Sequence, residues 1–190
     1  NITVSKEQVA LANERCKGLS VENKLMDYRD VSGKFDRVDS LGMFEHVGYK
    51  NYRTYMEVVD KNLKDDGLFL LHTIGTNKED KGNPDLWIRK YIFPNSVLPT
   101  AKLIAQSTQG LFVMEDWHNF GAYYDKTLMA WFDNFNKNWD KIKNKYGKIF
   151  YRMWKYYLST SAGAFRARHL QLWQIVFTKK GILGGYSSVR

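Results

Sequence analysis

The chain predicts an open α/β fold, a mostly parallel sheet with helices on both faces. Three observations carry that expectation. Apolar runs of strand length alternate with stretches whose apolar residues recur at helical spacing. Alternation of this kind is the pattern of βαβ units, because parallel strands need a crossover between them. Three of the strand-like runs also end on acids or histidines. Gly42-Met43-Phe44-Glu45-His46-Val47-Gly48 follows the run at 35–41, His72-Thr73-Ile74-Gly75 closes the run at 68–71, and Glu115-Asp116-Trp117-His118-Asn119-Phe120-Gly121 closes a third. Ligands of open α/β sheets collect at the carboxyl ends of strands, so these three ends point to one converging site.

The elements follow in order. Ile2-Thr3-Val4 reads as the end of a strand. Ser5 with Gln8 three residues on has capping-box spacing, so a helix starts there, runs to about Lys17 and stops at Gly18. Residues 24–28 and 35–41 read as short strands. Tyr52, Tyr55, Val59 and Leu63 recur at helical spacing, and Gly67 then turns the chain into a strand at 68–74. Residues 75–85 are polar and loop-like. Pro94 and Pro99 punctuate the next stretch, residues 100–109 suit a helix, and 111–116 suit a strand. Leu128, Trp131, Phe132, Phe135 and Trp139 form an apolar helical stripe, and Ile149, Phe150, Met153, Trp154 and Tyr157 mark a second one. Residues 170–178 alternate apolar with polar and read as a final antiparallel or edge strand. Gly181, Gly184 and Gly185 mark a loose tail. No internal repeat or low-complexity linker interrupts the chain.

A length of 190 residues fits one domain or most of one. The single cysteine, Cys16, excludes an intrachain disulfide framework and suits a reducing, cytoplasmic setting. No apolar stretch approaches the roughly 20 residues of a spanning helix, and no signal peptide is visible. The net charge of +9 and pI near 9.5 favour an anionic partner, either nucleic acid or an anionic lipid surface. No glycine loop suited to phosphate is present, and His46, His72, His118 and His169 lack zinc-site spacing, so no metal is expected. The chain opens on a strand end rather than on Met, which reads as a piece of a longer protein.

Single residues keep two readings each. Glu45 is either a general base or ligand anchor, or a carboxylate capping the next helix. His72 is a ligand or a satisfied core histidine. Tyr123-Tyr124-Asp125 caps a long helix or offers a phenol to the site. Residues 137–155 interleave Lys137, Lys141, Lys143, Lys145, Lys148, Arg152 and Lys155 with Trp139, Tyr146, Phe150, Tyr151 and Trp154. That pattern suits an anionic membrane surface, single-stranded nucleic acid, or a solvated helix face over a core.

Five blocks carry a resemblance: the segment at 42–48, His72-Thr73-Ile74-Gly75, Tyr91-Ile92-Phe93-Pro94-Asn95, the segment at 115–121, and Gly163-Ala164-Phe165-Arg166-Ala167-Arg168. In this order they closely resemble the cyclopropane-fatty-acyl-phospholipid synthases and the related mycolic acid cyclopropane synthases, over nearly the whole chain. The resemblance implies an S-adenosylmethionine-dependent methyltransferase fold, Rossmann-like. It implies a reaction that adds a methylene across a cis double bond of a membrane phospholipid acyl chain. The alkene attacks the sulfonium methyl, a carbocation forms, and loss of a proton from the transferred methyl closes the ring. A bicarbonate ion serves as base, bound by the side chains of Glu45, His72 and Tyr124 and by the backbone of Ile74. S-adenosylmethionine contacts carry over to Thr3, Val4, Gln8, Tyr28, Arg29, Leu41 and His46.

The resemblance also sets expectations for what this chain lacks. The first strand of the sheet, the glycine-rich loop that grips the cofactor and a cysteine beside bicarbonate would all precede Asn1. Residues 1–190 would then be the carboxy-terminal part of one catalytic domain, inactive alone, with the absent strand lying between the strand ending at Val4 and that at 35–41. Ser161 stands where many members carry cysteine. Expected partners are an unsaturated membrane phospholipid and an anionic membrane surface, with no nucleic acid, a peripheral location at the inner face of the membrane, and a homodimer of the full-length protein. The alternatives are a sister lipid methyltransferase giving a methyl branch, and a non-catalytic module binding membrane or nucleic acid.

Overall fold

The structure is a computed structural model that describes residues 1–78 and 85–189. Strand β1 (Ile2–Thr3) leads into helix α1 (Lys6–Arg15). Ser5 caps the helix as expected, its Oγ accepting from the Gln8 N–H at 3.2 Å. The box is not completed, because Gln8 Oε1 instead accepts from Thr3 Oγ1 at 2.7 Å. The helix also stops two residues short of Lys17. Strand β2 (Lys24–Leu25) pairs in parallel with β1. The strand expected over 24–28 ends early, because the Asp27 side chain accepts from Arg29 N–H and turns Tyr28–Asp30 into a 3-10 helix.

A second sheet has the order β3-β4-β6-β5, from β3 (Phe35–Leu41), β4 (Leu63–Thr76), β5 (Val113–Asn119) and β6 (Leu170–Thr178). Only the β3–β4 ladder is parallel; β4–β6 and β6–β5 are antiparallel. The expectation of a mostly parallel sheet is corrected here; of the two readings of 170–178, antiparallel holds and edge does not. Strand β6 returns from a long helical excursion and inserts between β4 and β5. Its alternation misled because both of its faces are covered, leaving Trp173, Ile175, Val176 and Phe177 all buried. β1 and β3 sit in different sheets, with no ladder between them among the described residues.

The turn expected at Gly67 is a bulge within one continuous strand. β3 advances from Phe35 to Arg37 while its partner advances from Leu63 to Leu68. Gly67 lies in the bulged stretch, where a Cβ would meet Leu63 Cδ1 at 2.6 Å and Lys64 O at 2.9 Å. Leu63 accordingly opens the strand instead of closing the helix before it.

Between β3 and β4 the chain forms α2 (Phe44–Val47) and α3 (Tyr52–Asn62). After β4 come α4 (Leu86–Tyr91) and α5 (Ala101–Thr108). Of the loop expected over 75–85, Gly75 and Thr76 extend β4, and residues 79–84 lie outside the described residues. Helices α3 and α5 cover one face of the sheet. Tyr52, Tyr55, Met56, Val59 and Ile104 pack there on Phe69, Leu71, Ile175 and Phe177. Arg53 ties the two helices, its Nη1 donating to the carbonyls of Ser107 (3.3 Å) and Gln109 (2.6 Å) at the end of α5.

Helix α6 (Gly121–Arg166) is broken at Gly147, whose φ of 71° and ψ of 171° are not helical. It therefore forms a two-armed hairpin, in agreement with two stripes in the sequence. The arms meet through Tyr151, which stacks on Phe135 at 5.6 Å and donates its hydroxyl to Asn136 Oδ1 at 3.0 Å. Lys155, read with the outward basic residues, lies instead over the rings of Phe132 (5.2 Å) and Tyr151 (5.1 Å). A second core of Leu128, Leu158, Ala162, Phe165 and Leu172 binds the hairpin to the end of the sheet. The glycine-rich tail is anchored where it leaves β6: Glu115 Oε1 accepts from Thr178 Oγ1 at 2.7 Å and from Ile182 N–H at 2.9 Å.

Candidate active site

The site begins where β3 stops. Gly42 N–H donates to His72 O at 3.0 Å, continuing the β3–β4 ladder by one bond. Gly42 has a φ of 64°, a left-handed turn that favours glycine. The turn lays α2 over the end of β4. The Ile74 N–H, which no longer faces a strand on that side, donates to Glu45 Oε1 at 2.7 Å. Phe44 anchors this arrangement by stacking on Tyr52 at 4.0 Å. Val97 N–H donates to the Glu45 carbonyl at 2.8 Å, which draws in the segment before α5.

Glu45 is 6% exposed, and its Oε2 is buried with no hydrogen-bond partner among the described residues. Glu45 caps a strand end rather than the next helix, which was the bland reading of its position. A cavity of about 810 Å³ opens beside it, within the usual range for small-molecule sites. The carboxyl ends of β3 and β4 form one wall, with Gly42, Glu45, His46 and Ile74. The two arms of α6 form another, with Tyr124, Leu128, Tyr157, Ser161 and Phe165. The segment from α4 to α5 supplies Ile88, Phe93 and Leu98. Asp125 holds Arg166 by two hydrogen bonds, at 2.9 and 3.0 Å, and so clasps the roots of the two arms next to Tyr124.

The structure thus brings Glu45, Ile74, Tyr124, Ser161 and His46 to one cavity. His72 is not part of its wall. It lies on the same strand face as Ile74 two residues earlier, with Nδ1 at 3.1 Å from Gln174 Nε2 of β6. An amide NH₂ can only donate, so in this arrangement Nδ1 accepts and Nε2 carries the proton. Burial pushes the His72 pKa below the usual histidine value, and the Glu45 carboxylate partly offsets that. Burial raises the phenol of Tyr124, and Glu45 adds to the shift. Tyr157 is likewise raised by burial, then by Tyr124. Both phenols remain protonated donors at neutral pH.

The signs give a test. A lowered folded pKa means that the unfolded chain binds a proton at His72 that the folded chain refuses. The contribution of His72 to stability is therefore whole above the unfolded value near 6.5 and is lost as pH falls through the folded pKa. Removing the Glu45 charge removes an influence that raises His72. In the full-length protein, Glu45→Gln lowers the His72 titration midpoint further, as read from imidazole ring protons by NMR. An upward shift would show that the two side chains do not interact in this way.

Thr3, Val4, Gln8, Tyr28, Arg29 and Leu41 are not in the cavity wall. They lie at or just beyond the carboxyl ends of β1, β2 and β3. Thr3 and Gln8 bond each other, and Arg29 holds Asp27 at 2.9 and 2.7 Å. Tyr28 meets Tyr55 edge-on at 5.4 Å, while Val4 and Leu41 are exposed. Sequence reasoning missed Phe93 and Tyr157 as lining residues. Phe93 sits edge-on to both His46 (6.1 Å) and Tyr157 (5.9 Å). Its signal was in the block at 91–95, whose ring was not separated from its turn. Gln174, which orients His72, had no signal, since the neighbours of its strand could not be read from the sequence.

Comparison with known proteins gives three findings. The family model described as mycolic acid cyclopropane synthetase matches residues 1–175. The chain is 57% identical over 189 residues to a cyclopropane-fatty-acyl-phospholipid synthase of Escherichia coli (strain K12), covering 100% of this chain and 49% of that protein. It therefore spans about half the length of the curated relatives it matches first. Among solved structures it resembles the cyclopropane synthase MmaA2 from Mycobacterium tuberculosis, with a TM-score of 0.85 at 24% identity over 94% of this chain and 68% of that one. It also resembles the mycolic acid cyclopropane synthase CmaA1 complexed with SAH and CTAB, with a TM-score of 0.84 at 23% identity over 94% and 68%. The fold is that of the S-adenosylmethionine-dependent methyltransferases.

Proposed function

Because the chain belongs to the mycolic acid cyclopropane synthetase family, we propose that it is the carboxy-terminal part of a catalytic domain that cyclopropanates lipids. The substrates are S-adenosylmethionine and a phospholipid whose acyl chain carries a cis double bond. The observation that carries this reading is Glu45 Oε2, a buried carboxylate oxygen on the cavity wall with no partner among the described residues. Such an atom is costly unless a donor meets it. A bicarbonate ion fits that need, because it brings an O–H for the carboxylate and acceptor oxygens for the neutral Tyr124 phenol; His72, off the cavity wall, is assigned to it by the resemblance alone. When bound, bicarbonate supplies the base that takes the ring-closing proton.

The chain's own residues do the rest. Ile74 fixes Glu45 through its N–H. The rings of Phe93, Tyr124, Tyr157 and Phe165 line the cavity, offering electron-rich faces to a developing cation. They also keep water from a centre that would otherwise be captured as an alcohol. An alkene is a weak nucleophile, so holding it against the sulfonium methyl is the larger part of catalysis. Thr3, Val4, Gln8, Tyr28, Arg29 and Leu41, at the strand ends, together with His46 on the cavity wall, are the side of the site assigned to S-adenosylmethionine. The break between β1 and β3 supports a further strand seated there, with a glycine loop at its end, from a segment outside residues 1–190.

The test uses the full-length protein with S-adenosylmethionine and an unsaturated phospholipid. Product NMR with upfield ring-methylene protons supports cyclopropanation. A methyl-branched product would move the assignment to the sister methyltransferases, and no product would refute both.

Ser161 lines the same cavity from the second arm of α6. The proposed chemistry forms no covalent enzyme adduct, so a hydroxyl suffices there. Ser161→Cys in the full-length protein changes turnover by less than an order of magnitude. A tenfold rise, about 1.4 kcal/mol of barrier, would show that a thiol matters.

A further inference from the structure

Beside the cavity runs a second depression, an open groove of about 460 Å³ lined by Trp87 and Tyr91 of α4 and by Ile149, Arg152, Met153 and Tyr156 of the second arm of α6. Tyr156 belongs to both walls. Trp87 meets it edge-on at 4.5 Å, so a single pair of rings separates groove from cavity. Two aliphatic side chains here are bare: Ile149, in the groove wall, is 85% exposed, and Leu86, on the cavity wall next to Trp87 in sequence, is 81% exposed. Side chains of that size gain nothing by facing water, and two of them flank one opening.

On the hairpin side of the groove the charge has one sign, while on the α4 side Asp85 caps the helix beside Arg89 and Lys90. Every charged residue from Lys141 to Arg190 is basic. Lys145, Lys148 and Arg152 on the hairpin and Arg89 and Lys90 on α4 are all exposed. Lys90 and Lys145 lie over the rings of Tyr91 (5.0 Å) and Tyr146 (5.4 Å), which holds cations at the level of the aromatic groups. Apolar tips inside a ring of cations and amphipathic rings match the layered chemistry of an anionic bilayer, with acyl chains below and phosphates above. A nucleic acid would use the cations and rings but not two bare aliphatic tips.

We propose that this groove is the face on which the protein sits on an anionic phospholipid bilayer, and that an acyl chain passes from it alongside Tyr156, the residue common to both walls, into the cavity. The proposal rests on the lipid reading of the cavity and adds where the lipid enters. Ile149 and Leu86 dip among the acyl chains, and Lys148, Arg152, Arg89 and Lys90 hold the phosphates around them. Leu86, Arg89 and Tyr156 also line the cavity, but Ile149, Lys148 and Arg152 do not, so docking and chemistry separate experimentally at the hairpin.

The experiment compares the full-length wild type with Ile149→Asp and with Lys148→Glu/Arg152→Glu. Cosedimentation uses vesicles of phosphatidylglycerol mixed with phosphatidylcholine, and of phosphatidylcholine alone, at low and high salt. Turnover is measured on the mixed vesicles and on the same phospholipids dispersed in detergent. Both variants are expected to bind the anionic vesicles about tenfold more weakly and to lose turnover on vesicles in parallel. Turnover on detergent-dispersed lipid should fall far less. The charge-reversed variant should lose the salt dependence of binding, whereas Ile149→Asp should keep it. Vesicle binding equal to wild type in both variants overturns the proposal, and so does lost binding to single-stranded RNA with vesicle binding intact. Absence of turnover by the wild type on either form of lipid refutes the reading of the cavity, and cosedimentation then still decides the docking face.

Discussion

Glu45→Gln in the full-length protein lowers turnover by about 10²-fold or more, the loss typical of removing a group that governs a proton transfer, and leaves affinity for S-adenosylmethionine nearly unchanged. The split follows from geometry. Oε1 is bound by the Ile74 N–H and Oε2 is the unmatched atom on the cavity wall, while most residues assigned to the cofactor lie at the ends of β1, β2 and β3. Glutamine keeps the volume and one acceptor, so the Ile74 bond survives and α2 stays on β4. It loses the negative charge, and its amide presents an N–H where the ligand's own O–H should point. A loss of 10² in rate is about 2.7 kcal/mol of barrier. Turnover equal to wild type would remove Glu45 from the mechanism. Weaker cofactor binding with normal turnover would move it to the other half of the site.

Gly75→Ala destabilises the protein by about 1–3 kcal/mol, the range for an overfilled core. A Cβ at Gly75 would overlap the six-membered ring of Trp173. Trp173 is 2% exposed. It is held by an indole N–H bond to Gln171 at 2.9 Å and by edge-on contact with Trp117 at 5.0 Å. It cannot swing away cheaply. For a domain of this size the loss corresponds to roughly 2–4 °C in Tm per kcal/mol. The strain falls next to Ile74, so turnover drops along with stability. Trp173→Phe creates room, and in combination with Gly75→Ala it recovers part of the loss. Strict additivity of the two substitutions in thermal melts would show that the clash is not what glycine avoids.

Legibility in the sequence followed the range of the interactions. Ser5 capped α1 as expected because a cap is settled within four residues. Gly42 to Gly48 marked the site because a strand end followed by a turn is equally local. The two stripes of α6 were visible, but the contact between the arms was not, so Lys155 was assigned to the outer face when it lies on Phe132 and Tyr151. Tyr28 was read as part of a short strand, while Asp27 two residues upstream of Arg29 dictates a turn. Of the two readings of 170–178, antiparallel held and edge failed, for a similar reason. Nothing in nine residues states which strands lie on either side. His72 inherited that error, because the group that orients it, Gln174, belongs to the misplaced strand. Glu45, Ile74, Tyr124 and Ser161, grouped by resemblance, line one cavity while His72 stands off its wall, and the residue types alone left Glu45, His72 and Tyr124 with two readings each.

The position of β6 has a consequence for the order in which the molecule comes into being. Its ladder to β4 joins Leu68 with Thr178 and Thr76 with Leu170, pairs about a hundred residues apart in the chain. Such contacts form late, because a long loop must close before any of them is rewarded. At a synthesis rate of roughly 5–20 residues per second, β4 and β5 wait several seconds on the ribosome for the strand that joins them. During that interval the shorter-range units can be built: α1 with its cap, the β1–β2 and β3–β4 ladders, and then the α6 hairpin. The cavity walls from β4 and from α6 come into register only when β6 arrives, so the nascent chain holds no site before that strand is made. The same interval leaves the edges of β4 and β5 open to a neighbouring chain. Crowded translation at high expression should therefore aggregate this protein through those two strands well before it limits the folded form.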